Sequence, residues 1–276
     1  MTSVTVPRLQ QMKRDGRKIV GVVVWDYQIA KIVDQVGVDI VSVGDSVGTN
    51  LWGRRNPFDV TLDEMIMVCQ AVRRGVSQAL VSCDFPFGPL QEGTDSAVRA
   101  AIRLVKEGGA DVVKLDGAAD FPDAVTAIDR AGIPVFAQFG ITPQTALRHG
   151  VDYDAVSGTA PDVPDTVTEE LLAQAKSLAD AGAALLNFTN SGPVAGPRVV
   201  AAVPVPVLGG TGGGPWLDGR MRMAHAAIGY AHSSLASGGG GYANVAQTTL
   251  EAITAYADDV RAARQIKRPA TGKGTT

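Results

Sequence analysis

Four aspartates come after short apolar runs rich in valine and isoleucine. Asp26 follows the first run, Asp45 and Asp84 follow the next two, and Asp116 ends the fourth. A single aspartate at such a place often caps a turn or a helix. Three carboxylates converging on one cavity would repel each other unless a cation neutralised them, and hard oxygen ligands with room for water suit Mg²⁺. The sequence therefore predicts a magnesium site at Asp45, Asp84 and Asp116.

Lys114 lies two residues before Asp116 in the same apolar run. Alternate residues of a strand share one face, so both side chains are predicted to point into one cavity. A lysine there can hold an anionic carboxylate or stabilise negative charge that develops on a reacting oxygen. The alternative is a purely structural ion pair with the acidic cluster.

Other common catalytic patterns find no support in the sequence. His149, His225 and His232 lack the spacing of a metal site. The glycine-rich run 209–214 has neither the spacing of a dinucleotide fingerprint nor the lysine of a P-loop, and a tight turn is the favoured interpretation. A Gly-x-Ser-x-Gly motif is also absent, which argues against a serine hydrolase.

Short apolar runs alternate along the chain with amphipathic stretches of helical length. This alternation is typical of parallel strands joined by crossover helices, which would position these residues. Strands are predicted over 19–24, 39–43, 79–83, 111–115, 134–139, 184–188 and 205–208, with a weaker eighth near 223–228. Helices are predicted over 27–36, 62–74, 95–107, 120–131 and 169–181. This pattern predicts a single α/β domain over 1–268, a (β/α)8 TIM barrel that includes an N-terminal helix. A disordered tail is predicted over 269–276. The long connection 142–168 is a candidate lid.

Composition narrows the possible partners and location. The chain has 276 residues, 45% of them hydrophobic and 19% charged, which predicts a folded protein. A net charge of -3 without a basic block argues against nucleic acid. Neither a signal peptide nor an apolar run of membrane-spanning length is seen, and two cysteines are too few for a disulfide framework. We expect no membrane partner and a cytoplasmic location.

Several motifs together resemble the ketopantoate hydroxymethyltransferase (3-methyl-2-oxobutanoate hydroxymethyltransferase) family, within the phosphoenolpyruvate mutase and isocitrate lyase superfamily. They cover most of the chain and are specific as a set. They are 5–13 (TVPRLQQMK), 43–48 (VGDSVG), 60–65 (VTLDEM), 71–75 (AVRRG), 84–87 (DFPF), 109–115 (GADVVKL) and 140–144 (GITPQ).

The resemblance implies roles for individual residues. Asp45 and Asp84 would bind Mg²⁺, with Asp116 standing where the family usually has glutamate. Ser46 and Lys114 would hold the carboxylate and carbonyl end of a 2-oxo acid. The cofactor would be Mg²⁺, and methylene tetrahydrofolate would be the co-substrate.

Two departures from the family pattern affect the opposite side of the site. Gln138 stands where the family has histidine. Thr189 or Asn190 aligns with the glutamate thought to be the general base, and neither side chain titrates near neutrality. These changes suggest a divergent paralogue that binds substrate through Gln138, places Asn190 at the reacting atoms and takes its base from elsewhere. Asp26 is the first candidate for the general base, with Tyr27 and the 142–168 loop as alternatives.

The main expectation is a hydroxymethyltransferase or aldolase-type carboligase. It would add a one-carbon unit from methylene tetrahydrofolate to a 2-oxo acid, either the usual branched acid or an altered substrate, through a metal-stabilised enolate. Two alternatives stay open: a folate-independent carbon–carbon lyase, decarboxylase or phosphonate enzyme of the superfamily, and a catalytically inactive paralogue that binds a ligand or serves as a structural subunit. The resemblance also implies a homo-oligomer, a decamer.

Overall fold

Eight parallel strands close into a barrel in sequence order, each paired with the next and β8 paired with β1. The computed structural model describes residues 3–142, 144–145, 165–210 and 213–267. The strands are β1 Ile19–Val23, β2 Ile40–Val43, β3 Leu80–Asp84, β4 Val112–Leu115, β5 Val135–Gly140, β6 Leu185–Thr189, β7 Val207–Gly209 and β8 Gly219–Met223. The predicted (β/α)8 barrel is therefore confirmed.

Helices connect the strands in the order expected for this fold. They are α1 Val6–Arg14, α2 Tyr27–Val36, α3 Val47–Asn50, α4 Leu62–Gly75, α5 Thr94–Arg103, α6 Pro122–Arg130, α7 Asp165–Asp180, α8 Ala195–Ala202, α9 Ala224–Ala227, α10 Ser234–Ser237 and α11 Val245–Arg261. A π-helical turn, Leu104–Gly108, extends α5, and short 3₁₀ turns occupy Pro57–Asp59 and Ala118–Asp120.

Local sequence signals fix the ends of these helices. Asp26 caps the N-terminus of α2 by accepting a 2.9 Å hydrogen bond from the backbone N–H of Ile29. Gly37 ends the same helix in the left-handed region at φ 84°, which glycine adopts at little cost. Helix α4 begins with a capping box in which Thr61 and Glu64 each bond the other's backbone N–H.

Helix α1 closes the N-terminal end of the barrel. Its residues Leu9 and Met12 are buried in one cluster with the first inward-facing residue of most strands, including Ile40, Leu80 and Val112. Residues two positions further along a strand lie on the same face. The apolar face of this helix is thus used inside the subunit.

The eighth strand lies four residues earlier than predicted, at Gly219–Met223 rather than near 223–228, so that prediction was wrong. Its sequence, GRMRM, alternates exposed arginines with inward-facing Met221 and lacks the valine and isoleucine of the other strands. Residues of 223–228 form the short helix α9 instead.

The chain divides into two compact units, Met1–Met223 and Ala224–Thr276. The first holds the whole barrel, and the second holds α9, α10 and α11. In α11 no residue is buried. The predicted single domain stays a prediction, and the tail 269–276 and most of the proposed lid lie outside the described residues. Among described residues, no helix combines the length and hydropathy needed to cross a membrane.

Candidate active site

The carboxylates predicted from the sequence lie at the C-terminal end of the barrel, where such folds carry their chemistry. Asp84 is the last residue of β3, Asp116 follows β4, and Asp45 follows β2 by two residues. Each is 8% exposed. The indole N–H of Trp25, after β1, donates a 3.0 Å hydrogen bond to the carbonyl of Gly44 and so fixes the turn that carries Asp45.

Lys114 partly compensates this negative charge. Its Nζ lies 2.9 Å from Oδ2 of Asp84, and the two side chains are 11% exposed. The remaining oxygens, Oδ1 of Asp84 and Oδ1 of Asp116, are buried without a hydrogen-bond partner in the described part of the chain. Three buried carboxylates thus face a single ammonium group.

The pKa shifts report this excess of negative charge. Burial, followed by the charges of Asp84 and Asp116, raises the pKa of Asp45 to about 7. Burial likewise raises the pKa of Asp116 to about 6, although a hydrogen bond from Thr142 opposes the shift. Burial lowers the pKa of Lys114, but the charges of Asp84 and Asp45 outweigh it and the net shift is upward. The ammonium therefore stays charged at neutral pH.

Gln144 connects two of the carboxylates and was not assigned a role from the sequence. Its Nε2 lies 3.1 Å from Oδ2 of Asp45, and its backbone N–H donates to Oδ2 of Asp116 at 3.3 Å. Its place in the GITPQ motif, after β5, was the available signal. A short loop segment from a different βα unit therefore helps to position the acidic cluster.

Ser46, the predicted ligand for the substrate carboxylate, stands beside Asp45 at the start of the short helix α3. It makes no side-chain capping bond there. A Cβ built on Gly44 would lie 2.8 Å from the Ser46 hydroxyl, so glycine leaves the space this side chain occupies. Within the described residues this hydroxyl is therefore available to bind a ligand.

Amide side chains lie within β5 and β6 and directly after β6. Nδ2 of Asn187 donates to Oε1 of Gln138 at 3.1 Å, with both residues buried. Asn190 has a left-handed backbone, φ 59°, and its Nδ2 donates to the carbonyl of Ile141 at 2.9 Å, which ties the two strand ends together. Its Oδ1 is buried with no hydrogen-bond partner in the described chain. Asparagine tolerates this conformation better than most residues, and non-glycine residues held in it often mark functional sites.

The candidate bases have contacts with their own helix. Asp26 uses its carboxylate to cap α2, and Tyr27 is 38% exposed with its ring 5.8 Å from the ammonium of Lys31. The third candidate, the 142–168 loop, falls mainly on residues that the structure does not describe.

The acidic cluster suits a hard divalent cation by the chemistry of its donors. A bound cation would give the two unpartnered buried carboxylate oxygens a partner. Its positive charge would also oppose the effects that raise the pKa of Asp45. Among the described residues, however, no three carboxylate, imidazole or thiolate groups stand close enough together to surround one ion. Mg²⁺ commonly takes only one or two carboxylates and fills its other positions with water and substrate. The donor set therefore fits Mg²⁺, and the three-residue site stays a prediction.

Comparison with known proteins identifies relatives over nearly the whole chain. The family model for ketopantoate hydroxymethyltransferase matches residues 3–265. The 3-methyl-2-oxobutanoate hydroxymethyltransferase of Cyanothece sp. is 37% identical over 94% of this chain and 96% of its own length. The enzyme of the same name from Moorella thermoacetica is 38% identical over 94% of this chain and 93% of its own.

Solved structures with the same fold come from more distant proteins. A 2,3-dimethylmalate lyase of the PEP mutase/isocitrate lyase superfamily superposes with a TM-score of 0.58 at 14% identity, covering 100% of this chain and 93% of that one. Phosphonopyruvate hydrolase, solved with oxalate and Mg²⁺, gives a TM-score of 0.58 at 13% identity, covering 96% of this chain and 89% of that one. At these identities the likeness concerns the fold alone.

Proposed function

The chain belongs to the ketopantoate hydroxymethyltransferase family, and we propose that it transfers a one-carbon group to a 2-oxo acid with the help of Mg²⁺. In the balanced reaction, C3 of the acid loses a proton and bonds to the methylene carbon of methylene tetrahydrofolate. Water supplies the hydroxyl, and tetrahydrofolate leaves. The observation that carries the proposal is the buried cluster of three carboxylates and Lys114 at the catalytic end of the barrel.

Asp45, Asp84 and Asp116 would hold the ion, directly or through water. Bound there, Mg²⁺ supplies Lewis-acid activation of the 2-oxo group. The unpartnered Oδ1 atoms of Asp84 and Asp116 are the donors that the fold leaves available for it.

Lys114 and Ser46 bind the acid end of the substrate. The Lys114 ammonium remains charged at neutral pH and lies 2.9 Å from Asp84, next to the proposed ion. A fixed positive charge at this point holds a carboxylate and also stabilises negative charge that develops on the carbonyl oxygen. The Ser46 hydroxyl adds a donor on the neighbouring loop.

Asn190 orients the reacting part of the substrate rather than accepting its proton, since an amide does not titrate. Its carbonyl oxygen has no partner in the described chain, and its backbone conformation is set by the junction of β5 and β6. We assign proton removal to Asp26, the predicted carboxylate outside the acidic cluster.

The test combines the purified protein with Mg²⁺, methylene tetrahydrofolate and individual 2-oxo acids, followed by mass spectrometry for a product heavier by CH₂O. We expect such a product, and we expect it to disappear when Asp45 and Asp84 are both replaced by alanine or when the metal is chelated. Product formation that survives both treatments would contradict the metal assignment.

A folate-independent carbon–carbon lyase is the second candidate, favoured by the neutral residues Thr189 and Asn190 at the end of β6. This function predicts cleavage of a substituted 2-hydroxy or 2-oxo acid without tetrahydrofolate. Omitting the folate from the same assay distinguishes the two functions.

A further inference from the structure

We propose that Gln138 and Asn187 together recognise a hydroxyl or carboxamide group on the side chain of the 2-oxo acid. The inference rests on the proposed function and adds to it the substrate class. It assigns to Asn187 a binding role that neither the sequence motifs nor the family resemblance indicated.

The two residues form one unit inside the barrel. Gln138 on β5 is the register partner of Asn187 on β6, and Nδ2 of Asn187 donates to Oε1 of Gln138 at 3.1 Å. Gln138 is 5% exposed and Asn187 is 7% exposed. Phe136 and Leu185 lie two residues earlier on each strand and belong to the barrel's inner cluster, so the amides share this inward face.

The unit adjoins the acidic cluster. Strand β4 pairs with β5 through Leu115 opposite Ala137, and continuing this register by one residue sets Asp116 beside Gln138. Asp116, Gln138 and Asn187 thus follow one another around the interior. A 2-oxo acid held by its carboxyl end at Lys114 would have its side chain within reach of the amides.

Each amide keeps one hydrogen-bonding group unused. Oδ1 of Asn187 is buried without a partner, and Nε2 of Gln138 makes no hydrogen bond to the described part of the chain. Exchanging the oxygen and nitrogen of both amides gives the same outcome, because one donor and one acceptor again remain. The unit therefore presents an adjacent donor and acceptor in either orientation.

A ligand group that both donates and accepts is complementary to this arrangement, as hydroxyl and carboxamide groups are. Leaving the buried Oδ1 of Asn187 unpaired costs free energy, so binding such a group is favoured over binding an alkyl group. More polar atoms line the same face, since the Ser42 and Ser82 hydroxyls, paired across β2 and β3, are also buried without partners in the described chain.

The relatives are named for 3-methyl-2-oxobutanoate, whose branched side chain has no hydrogen-bonding atom. An alkyl group against Gln138 and Asn187 would leave both amides unsatisfied. We therefore expect the substrate of this chain to differ from that of the named relatives by a polar group on its side chain.

The test compares isosteric 2-oxo acids that differ in one polar group. One pair is 4-hydroxy-2-oxobutanoate and 2-oxopentanoate, and the other is 2-oxoglutaramate and 5-methyl-2-oxohexanoate. For each acid, Mg²⁺-dependent exchange of the C3 protons is followed by NMR in deuterated water, and binding is measured by calorimetry. The variants Gln138→Met and Asn187→Leu remove the polar atoms at similar volume. They are made separately, so that either variant can test the inference if the other does not fold. Gln70→Met, on the exposed side of α4, is the matched control.

We expect at least one polar acid to exceed its apolar isostere by about tenfold or more in exchange rate per unit concentration or in affinity. The preference should fall close to unity in both variants and persist in the control. If the protein handles the acids with no polar preference, or if the variants keep it, the inference is overturned while the proposed function stands. If no acid binds or exchanges in the presence of Mg²⁺, the proposed function fails and this inference with it.

Discussion

At the scale of single residues, the site is governed by uncompensated charge. Asp45, Asp84 and Asp116 are buried at the same end of the barrel, and Lys114 supplies one positive charge against them. A folded protein tolerates such a cluster by protonating part of it or by binding a cation. Both responses are measurable on the metal-free protein.

The stability of the metal-free protein should fall as pH rises from about 5 to about 8. The pKa of Asp45 is raised from 3.8 to about 7, so the folded state binds more protons than the unfolded chain between these values. The stabilising effect of this proton is fully present below the unfolded pKa and is lost as pH rises through the folded one. Thermal unfolding across this range should give a lower Tm at higher pH.

Asp45→Asn is the matched variant, since its amide does not titrate, and it should flatten this dependence. Added Mg²⁺ should raise the Tm of the unmodified protein most at high pH, because metal binding requires the deprotonated carboxylates. A Tm that rises with pH in the metal-free protein would contradict the assignment.

A single substitution of Asp26 can distinguish its role as a helix cap from its proposed role as the base. Asparagine caps a helix about as well as aspartate, so Asp26→Asn should keep the 2.9 Å capping bond to Ile29 and leave the Tm nearly unchanged. If Asp26 takes the substrate proton, kcat should fall by about 10²- to 10⁴-fold. An unchanged kcat would move the search for the base to Tyr27 or to the 142–168 loop.

At the scale of elements, hydrogen bonds between α2 and the segment before β3 hold in place a strand that carries part of the acidic cluster. Asp34, at the end of α2, accepts hydrogen bonds of 2.8–3.0 Å from the backbone N–H groups of Ser77, Gln78 and Ala79 and from the Ser77 hydroxyl. These bonds outweigh the effect of burial and lower the pKa of Asp34. The residue fixes the start of β3, the strand that ends in Asp84.

Replacing Asp34 by alanine should therefore destabilise the fold by about 2–4 kcal/mol, because it leaves the buried N–H of Ala79 and the part-buried N–H groups of Ser77 and Gln78 without an acceptor. Urea unfolding measures this change, with Asp63→Ala on the exposed side of α4 as a control. A loss below about 0.5 kcal/mol would mean that water replaces the carboxylate, as expected only at an exposed site.

Sequence patterns predicted the first seven strands to within two residues because each is a short, mainly apolar run bounded by turns. They misplaced β8, since one strand of a closed barrel can be held by its two neighbours while its own sequence alternates arginine and methionine. The acidic cluster was predictable because strand ends converge in a barrel. The contacts of Gln144 and the pairing of Gln138 with Asn187 were not, because they depend on register between strands and on loop conformation.

At the scale of the whole molecule, helix α11 carries exposed apolar side chains along one side. Leu250, Ile253, Tyr256 and Val260 fall on one side of this helix and are 49–61% exposed. A contiguous apolar face of this kind commonly covers another protein surface. We propose that it contributes to the homo-oligomer, a decamer, that the family resemblance implies.

Light scattering coupled to size-exclusion chromatography tests the assembly. The unmodified chain should elute as an oligomer, and Ile253→Asp should shift it towards smaller species because it buries a charge at the contact. Ala255→Asp introduces the same charge on the opposite side of α11 and should leave the assembly intact. A monomeric unmodified chain would contradict the proposal.

Activation of C3 of a 2-oxo acid by Mg²⁺ at the cluster of Asp45, Asp84, Asp116 and Lys114 is the main function that we propose. Its most direct test is proton NMR of 2-oxo acids in deuterated water with the protein, with Mg²⁺ and then with a chelator, and with and without tetrahydrofolate. We expect loss of the C3 proton signal that requires Mg²⁺, stops in the Asp45→Ala, Asp84→Ala double variant, and is stimulated by the folate. Exchange that continues in the chelator or in the double variant, or no exchange with any 2-oxo acid, would contradict it.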